Sequence, residues 1–155
     1  VDSREDFNLV CQNKNLPCVI GLIDGYSGNE GAKARVRNEL AVLETIKSNF
    51  SQKPVTVLWI DAACHSELLG IEQLDLEVDF PAIIYYVPLS RVVIKHVNAF
   101  EPVSISAFLE ESLEGSATNF IKTLQEIPSL EPKDCAAYHS TRDPKILKKL
   151  SPKPP

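Results

Sequence analysis

The sequence predicts an α/β domain built on a central mixed sheet with helices on both faces. Three observations carry this reading. Two short, almost continuous apolar runs, 18–24 and 55–61, have the character of strands covered on both sides. Between them, Val36, Leu40, Leu43, Ile46 and Phe50 recur at roughly the 3.6-residue helical period, with charged residues interleaved. Beyond them, a strand preceded by Pro81 is joined to a second strand through the short segment 88–91, which specifies an antiparallel hairpin.

The elements follow in order. Ser3 is placed to cap a first helix, with Asp6 three residues on and Phe7, Val10 and Cys11 on one face. Asn15-Leu16-Pro17 ends it, and the strand 18–24 begins. Gly25, Gly28 and Gly31 make a loop before the long helix, and Pro54 marks that helix's exit. A strand-helix-strand unit of this length is a right-handed crossover with parallel strands. A short helix is expected over 65–72, then the segment 78–87, whose strand follows Pro81, and a strand at 92–97. Pro81 sits just ahead of its strand, where a missing N–H costs least. Ser104 is expected to cap a last helix whose apolar face is Ile105, Phe108, Leu109 and Leu113, and Gly115 to stop it.

The chain has 155 residues and a formal net charge of -5, which suits one domain with an appendage and disfavours nucleic-acid binding, since phosphate neutralisation needs a basic face. No apolar run reaches the roughly 18–20 residues of a membrane span, and no membrane partner is expected. The N-terminus shows no signal-peptide pattern. A chain that opens on Val1 is expected to be a piece of a longer one, with the first strand of its sheet largely cut away. The composition changes after 115: six of the eleven prolines lie between 128 and 155. The expected division is a domain over 1–115, an extension packed on it over 116–137, where Phe120, Ile121 and Leu124 form an apolar patch, and a flexible basic tail over 138–155.

The four cysteines, Cys11, Cys18, Cys64 and Cys135, permit disulfides without fixing a pairing. Cys11 and Cys18 flank the first helix-to-strand turn, and read as a redox pair, a fixed disulfide or two free core thiols. Cys64 precedes His65, but adjacent helical residues do not face each other, so a buried free thiol is the simpler reading. Cys135 could pair with Cys64. His65, His96 and His139 are too scattered for a zinc site. Asp75, Glu77 and Asp79 lack the glycine and terminal glutamate of an EF-hand loop and read as a solvated acidic edge. No cofactor is expected.

The order of elements, with Phe80-Pro81-Ala82-Ile83-Ile84-Tyr85-Tyr86 as its best local match, resembles the thioredoxin fold over about 2–115. Members that exchange disulfides carry Cys-x-x-Cys at the start of the long helix. Here Asp24-Gly25-Tyr26-Ser27-Gly28-Asn29-Glu30-Gly31-Ala32 fills that stretch without a sulfur. Several segments together resemble the C-terminal non-catalytic, b-type domain of protein disulfide isomerases with tandem catalytic domains. They are the flanking Cys11 and Cys18, Val57-Leu58-Trp59-Ile60, Ser66-Glu67-Leu68, and Phe100 with Ile105, Phe108 and Leu109.

The resemblance implies a structural Cys11–Cys18 disulfide, a cis bond at Pro81 and residence in the endoplasmic reticulum lumen, an oxidising compartment. It further implies a role in oxidative folding through binding of unfolded client polypeptides, with Tyr26 and Phe80 as candidate contacts, or through positioning of other domains of the same chain. No catalytic residue is expected in this segment, although the parent protein is expected to be an isomerase. Two alternatives stay open: a redox-active oxidoreductase using Cys11/Cys18 or Cys64, and an independent chaperone or interaction domain.

Overall fold

β1 (Cys18–Ile23) and β2 (Thr56–Asp61) lie side by side and parallel, with Cys18 opposite Thr56 and Ile23 opposite Asp61. In the computed structural model, the described residues are 11, 16–65, 80–96, 99–115, 121–123 and 134–142. The long helix α1 (Glu30–Asn49) makes the crossover between the two strands. On its other edge β1 pairs antiparallel with β3 (Ala82–Val87), which turns back into β4 (Val92–Lys95). β5 (Ile121–Thr123), from the segment after 115, adds antiparallel to β4. The result is a five-stranded mixed sheet in the order β2-β1-β3-β4-β5.

All six residues of β1 are buried, as its apolar run on a central strand requires. Alternate side chains feed two cores. Val19, Ile23, Ile83, Tyr85 and Ile94 face α1 and α2 (Pro102–Glu114), meeting Leu43, Ile46, Phe50, Ile105 and Leu109. Each such aliphatic or aromatic side chain contributes about 1.5–3 kcal/mol when fully buried. Gly21 lets α1 settle closely, since a Cβ there would run into the Leu43 methyl groups. Ile20, Leu22, Leu58, Ile60, Ile84, Tyr86 and Val93 form the second core, which Cys11 and Cys18 join. The first helix expected up to Cys11, the short helix expected after His65, and the acidic run Asp75, Glu77 and Asp79 lie outside the described residues.

Two expectations are corrected. α2 is not capped by Ser104: its cap position is Glu101, with Pro102 in the first turn. Proline there has its φ already set and gives up an N–H that the helix does not use, so the start moves ahead of the serine. Gly115 ends α2 in the left-handed conformation, φ 76°. The boundary drawn between 137 and 138 falls inside a further helix, α3 (Cys135–Ser140), and the contacts of this segment with the domain extend to Arg142. A disulfide, an ion pair and a histidine hydrogen bond hold it, and none of these shows in composition. Among the described residues, no helix is long and apolar enough to cross a membrane.

Candidate functional site

The parallel pairing of β1 and β2 brings two carboxylates to one end of the sheet. Asp61 is the last residue of β2, and Asp24 follows β1. The backbone turns around them. Gly25 N–H donates to Asp61 Oδ1 at 3.0 Å, and Tyr26 N–H donates to Asp24 Oδ1 at 3.0 Å. Position 25 has to be glycine for this approach, because a Cβ would overlap the Asp61 carboxylate. The loop then enters α1, whose cap Asn29 accepts from Ala32 N–H at 2.8 Å.

Arg35, in the second turn of α1, ties the helix to the loop. Its Nη2 donates to the carbonyls of Asp24 at 2.7 Å and Tyr26 at 3.3 Å, while Nη1 pairs with Glu39 at 3.1 Å. Burial, the largest influence, pushes the Glu39 carboxyl above its ordinary range, and Arg35 offsets only part of that.

The C-terminal segment supplies the rest. Asp134 caps α3 by accepting from Ala137 N–H, and Cys135 is bonded to Cys64, just past β2, with Cα atoms 5.6 Å apart. His139 Nε2 meets Asp61 Oδ2 at 2.6 Å. Arg142 donates to both oxygens of Asp24 and to His139 Nδ1 at 3.2 Å. Because a guanidinium only donates, His139 accepts at Nδ1, and the proton on Nε2 points at Asp61. The Arg142 guanidinium also lies 4.7 Å from the centre of the Tyr26 ring, a cation–π contact. Burial, the largest influence on Asp24, raises its carboxyl, but Arg142, the Tyr26 N–H and the Arg35 charge together outweigh it and leave it below the ordinary range.

Two groups of potential metal ligands occur among the described residues: Asp24, Asp61 and His139, and Cys64, His65 and Cys135. In the first, both Asp24 oxygens already hold Arg142, so a cation would have to displace a guanidinium. In the second, the sulfurs are bonded to each other, which corrects the expectation of a buried free thiol at Cys64.

Of the residues singled out from sequence, Tyr26 turns its ring toward Arg142, and Phe80 packs against the second core. Cys11 and Cys18 are linked, with Cα atoms 5.7 Å apart and both residues wholly buried. The Phe80–Pro81 peptide is cis. Pro81 borders a groove of about 520 Å³ along α1, lined also by Ala34, Arg35, Asn38, Val42 and Phe100. Sequence reading did not single out Asp24, Asp61 or Arg142, and it weighed His139 only as a zinc ligand. The available signals were an aspartate closing each of two apolar runs and a His-x-x-Arg spacing in the C-terminal segment.

The chain matches no protein-family model, and no curated protein matches it. Solved structures do match. The Trx4 domain of ERdj5 superposes with a TM-score of 0.52 at 13% identity, over 74% of this chain and 96% of that one. Full-length ERdj5 superposes at 0.51 and 14% identity, over 73% of this chain and 16% of that one. The sheet order, the crossover and these superpositions define an α/β domain of the thioredoxin fold. The first thioredoxin domain of mouse protein disulfide-isomerase A4 is also similar, with a TM-score of 0.49 and 15% identity over 85% of this chain and 82% of that one.

Proposed function

We propose that this chain is a non-catalytic thioredoxin-like module of a protein disulfide isomerase, working in the endoplasmic reticulum lumen and holding unfolded client polypeptide along α1. The observation that carries the reading is the start of α1. Thiol–disulfide exchange at a helix N-terminus needs an exposed, low-pKa thiolate with a second thiol in reach. Here that position offers the Asn29 amide, Glu30 and Gly31, and the loop before it is engaged by Arg35 and Arg142. The groove beside Pro81 supplies what client binding needs: apolar surface from Val42 and Phe100, and polar groups from Arg35 and Asn38. Two disulfides among the described residues fit an oxidising compartment.

The test is an NMR titration with a reduced, alkylated unfolded polypeptide, run beside an insulin-reduction assay. Shifts concentrated at Ala34, Asn38, Val42 and Phe100, with no insulin reduction, are expected. Absence of shifts at millimolar polypeptide would exclude client binding in the groove. Insulin reduction at the rate of a Cys-x-x-Cys domain, lost on Cys64→Ser, would overturn the non-catalytic reading.

A further inference from the structure

We propose that the Cys64–Cys135 disulfide is an exchangeable latch, opened by a protein dithiol through attack on Cys135, and that its opening releases the C-terminal segment from the strand ends it covers. The proposal goes beyond client binding and stands without it.

The first ground is the contrast between the two disulfides. Cys11 and Cys18 are each 0% exposed, inside the second core. Cys64 is buried too, but Cys135 is half-buried at the first position of α3. Exchange requires an attacking thiolate to reach a sulfur, so access selects Cys135.

The second ground is how α3 is held. It is six residues long and buries none of them. A helix that short does not persist on its own, and most helical stability in proteins comes from packing an apolar face. Among the described residues, α3 and the two residues after it are fixed by Cys135, by His139 on Asp61, and by Arg142 on Asp24 and Tyr26. The covalent bond is therefore the dominant tether. Without it, one hydrogen bond from His139 to Asp61 and the partly exposed Arg142–Asp24 ion pair must hold a segment that gains chain entropy on leaving.

The third ground is His65. Its Nε2 lies 3.5 Å from Cys135 Sγ, and the ring nitrogen and both sulfurs fall within 4.8 Å of one another. An imidazole there can donate a hydrogen bond to Cys135 Sγ as it becomes a thiolate.

The exchange balances as follows. A thiolate of the incoming dithiol bonds to Cys135 Sγ, the Sγ–Sγ bond breaks, and its electron pair goes to Cys64 Sγ, which takes up a proton. The second thiol of the dithiol loses its proton and attacks its own partner sulfur in the mixed disulfide, expelling Cys135 as a thiolate beside His65. The Cys135 thiolate then takes a proton from solvent, replacing the one the incoming thiol released there to become the attacking thiolate, so the latch gains two electrons and two protons and the dithiol leaves as a disulfide. The product exposes Asp24, Asp61 and Tyr26 at the carboxyl end of β1 and β2.

The 155-residue chain, oxidised, is mixed with a reduced Cys-x-x-Cys thioredoxin domain, quenched with an alkylating agent and analysed by mass spectrometry per cysteine. Cys64 and Cys135 are expected to label about tenfold or more faster than Cys11 and Cys18. Amides of 135–142 should then exchange about tenfold or more faster, while those of β1 stay protected. A partner lacking its resolving cysteine should be trapped on Cys135. Joint reduction of both disulfides, trapping on Cys64, or unchanged protection of 135–142 after selective labelling would each overturn the proposal. In the Cys64→Ala/Cys135→Ala variant, checked for protected β1 amides, α3 should be released without reductant, and a docked α3 would refute the latch. Should that variant not fold, the labelling of the native chain decides. Peptide binding in the α1 groove is read separately, so its failure leaves this result standing.

Discussion

Arg142 grips Asp24 through two hydrogen bonds of 2.8 Å, joining residues 118 positions apart. The geometry is the bidentate fork that a guanidinium and a carboxylate form readily, and it is stronger than a single contact between point charges. It anchors the segment after α3 to the end of β1, and its other face rests on Tyr26.

Removing Arg142 should unbalance Asp24. In Arg142→Ala, burial is no longer outweighed, and the Asp24 carboxyl should titrate higher, measured from its side-chain carboxyl carbon by NMR. In the wild type the folded value lies below the unfolded 3.8. The resulting stabilisation is complete above that pH and lost as the pH falls through the folded value. The variant should lack this contribution and unfold in acid at higher pH. At neutral pH the loss should be about 1 kcal/mol, modest because Arg142 is partly exposed.

Arg35 and Glu39 should couple. The folded Glu39 value lies above the unfolded 4.5, so the wild type loses stability from this group as the pH rises from 4.5 through the folded value. Glu39→Gln should abolish that dependence. Arg35→Ala should cost about 2 kcal/mol, since it leaves Glu39 without its counter-charge and frees the carbonyls of Asp24 and Tyr26. In a double-mutant cycle read by urea denaturation, the interaction should be about 1 kcal/mol.

Gly25→Ala should displace Asp61. The added methyl overlaps that carboxylate, so either the loop or Asp61 must move and the hydrogen bond from residue 25 weakens. A loss of about 1–3 kcal/mol is expected. The His139 ring resonances should shift with it, because His139 rests on the same carboxylate.

Cys11→Ala/Cys18→Ala should destabilise the domain by about 2.5 kcal/mol through the entropy that closing so short a loop removes from the unfolded chain. The two variant side chains stay apolar in the second core, so the sheet should persist with a lower urea midpoint.

Much of the fold was legible because it is written in local patterns. Cys18–Ile23 and Thr56–Asp61 are too apolar and too short for surface elements, and Leu43, Ile46 and Phe50 repeat at the helical period. Ser104 misled because a serine ahead of an apolar face looks like a cap, whereas Pro102 had already fixed the helix start. At the site, the missing sulfur in 24–32 was legible residue by residue. The partners of Asp24 and Asp61 were not, because an arginine and a histidine in a proline- and lysine-rich segment look solvated until the chain returns them to the strand ends. The pairing of Cys64 with Cys135 stayed open for the same reason: distance along the chain carries no period.

The Cys64–Cys135 bond closes a ring over a sequence separation of 71 that contains β3, β4, α2 and β5. A protease that cuts once anywhere inside that ring produces two fragments that still migrate as one molecule until a reductant is added. Pulling at the C-terminal end loads the close of β2 directly through the sulfur bridge, so β3, β4 and β5 sit in a mechanically shielded bypass and bear no tension while the bridge holds.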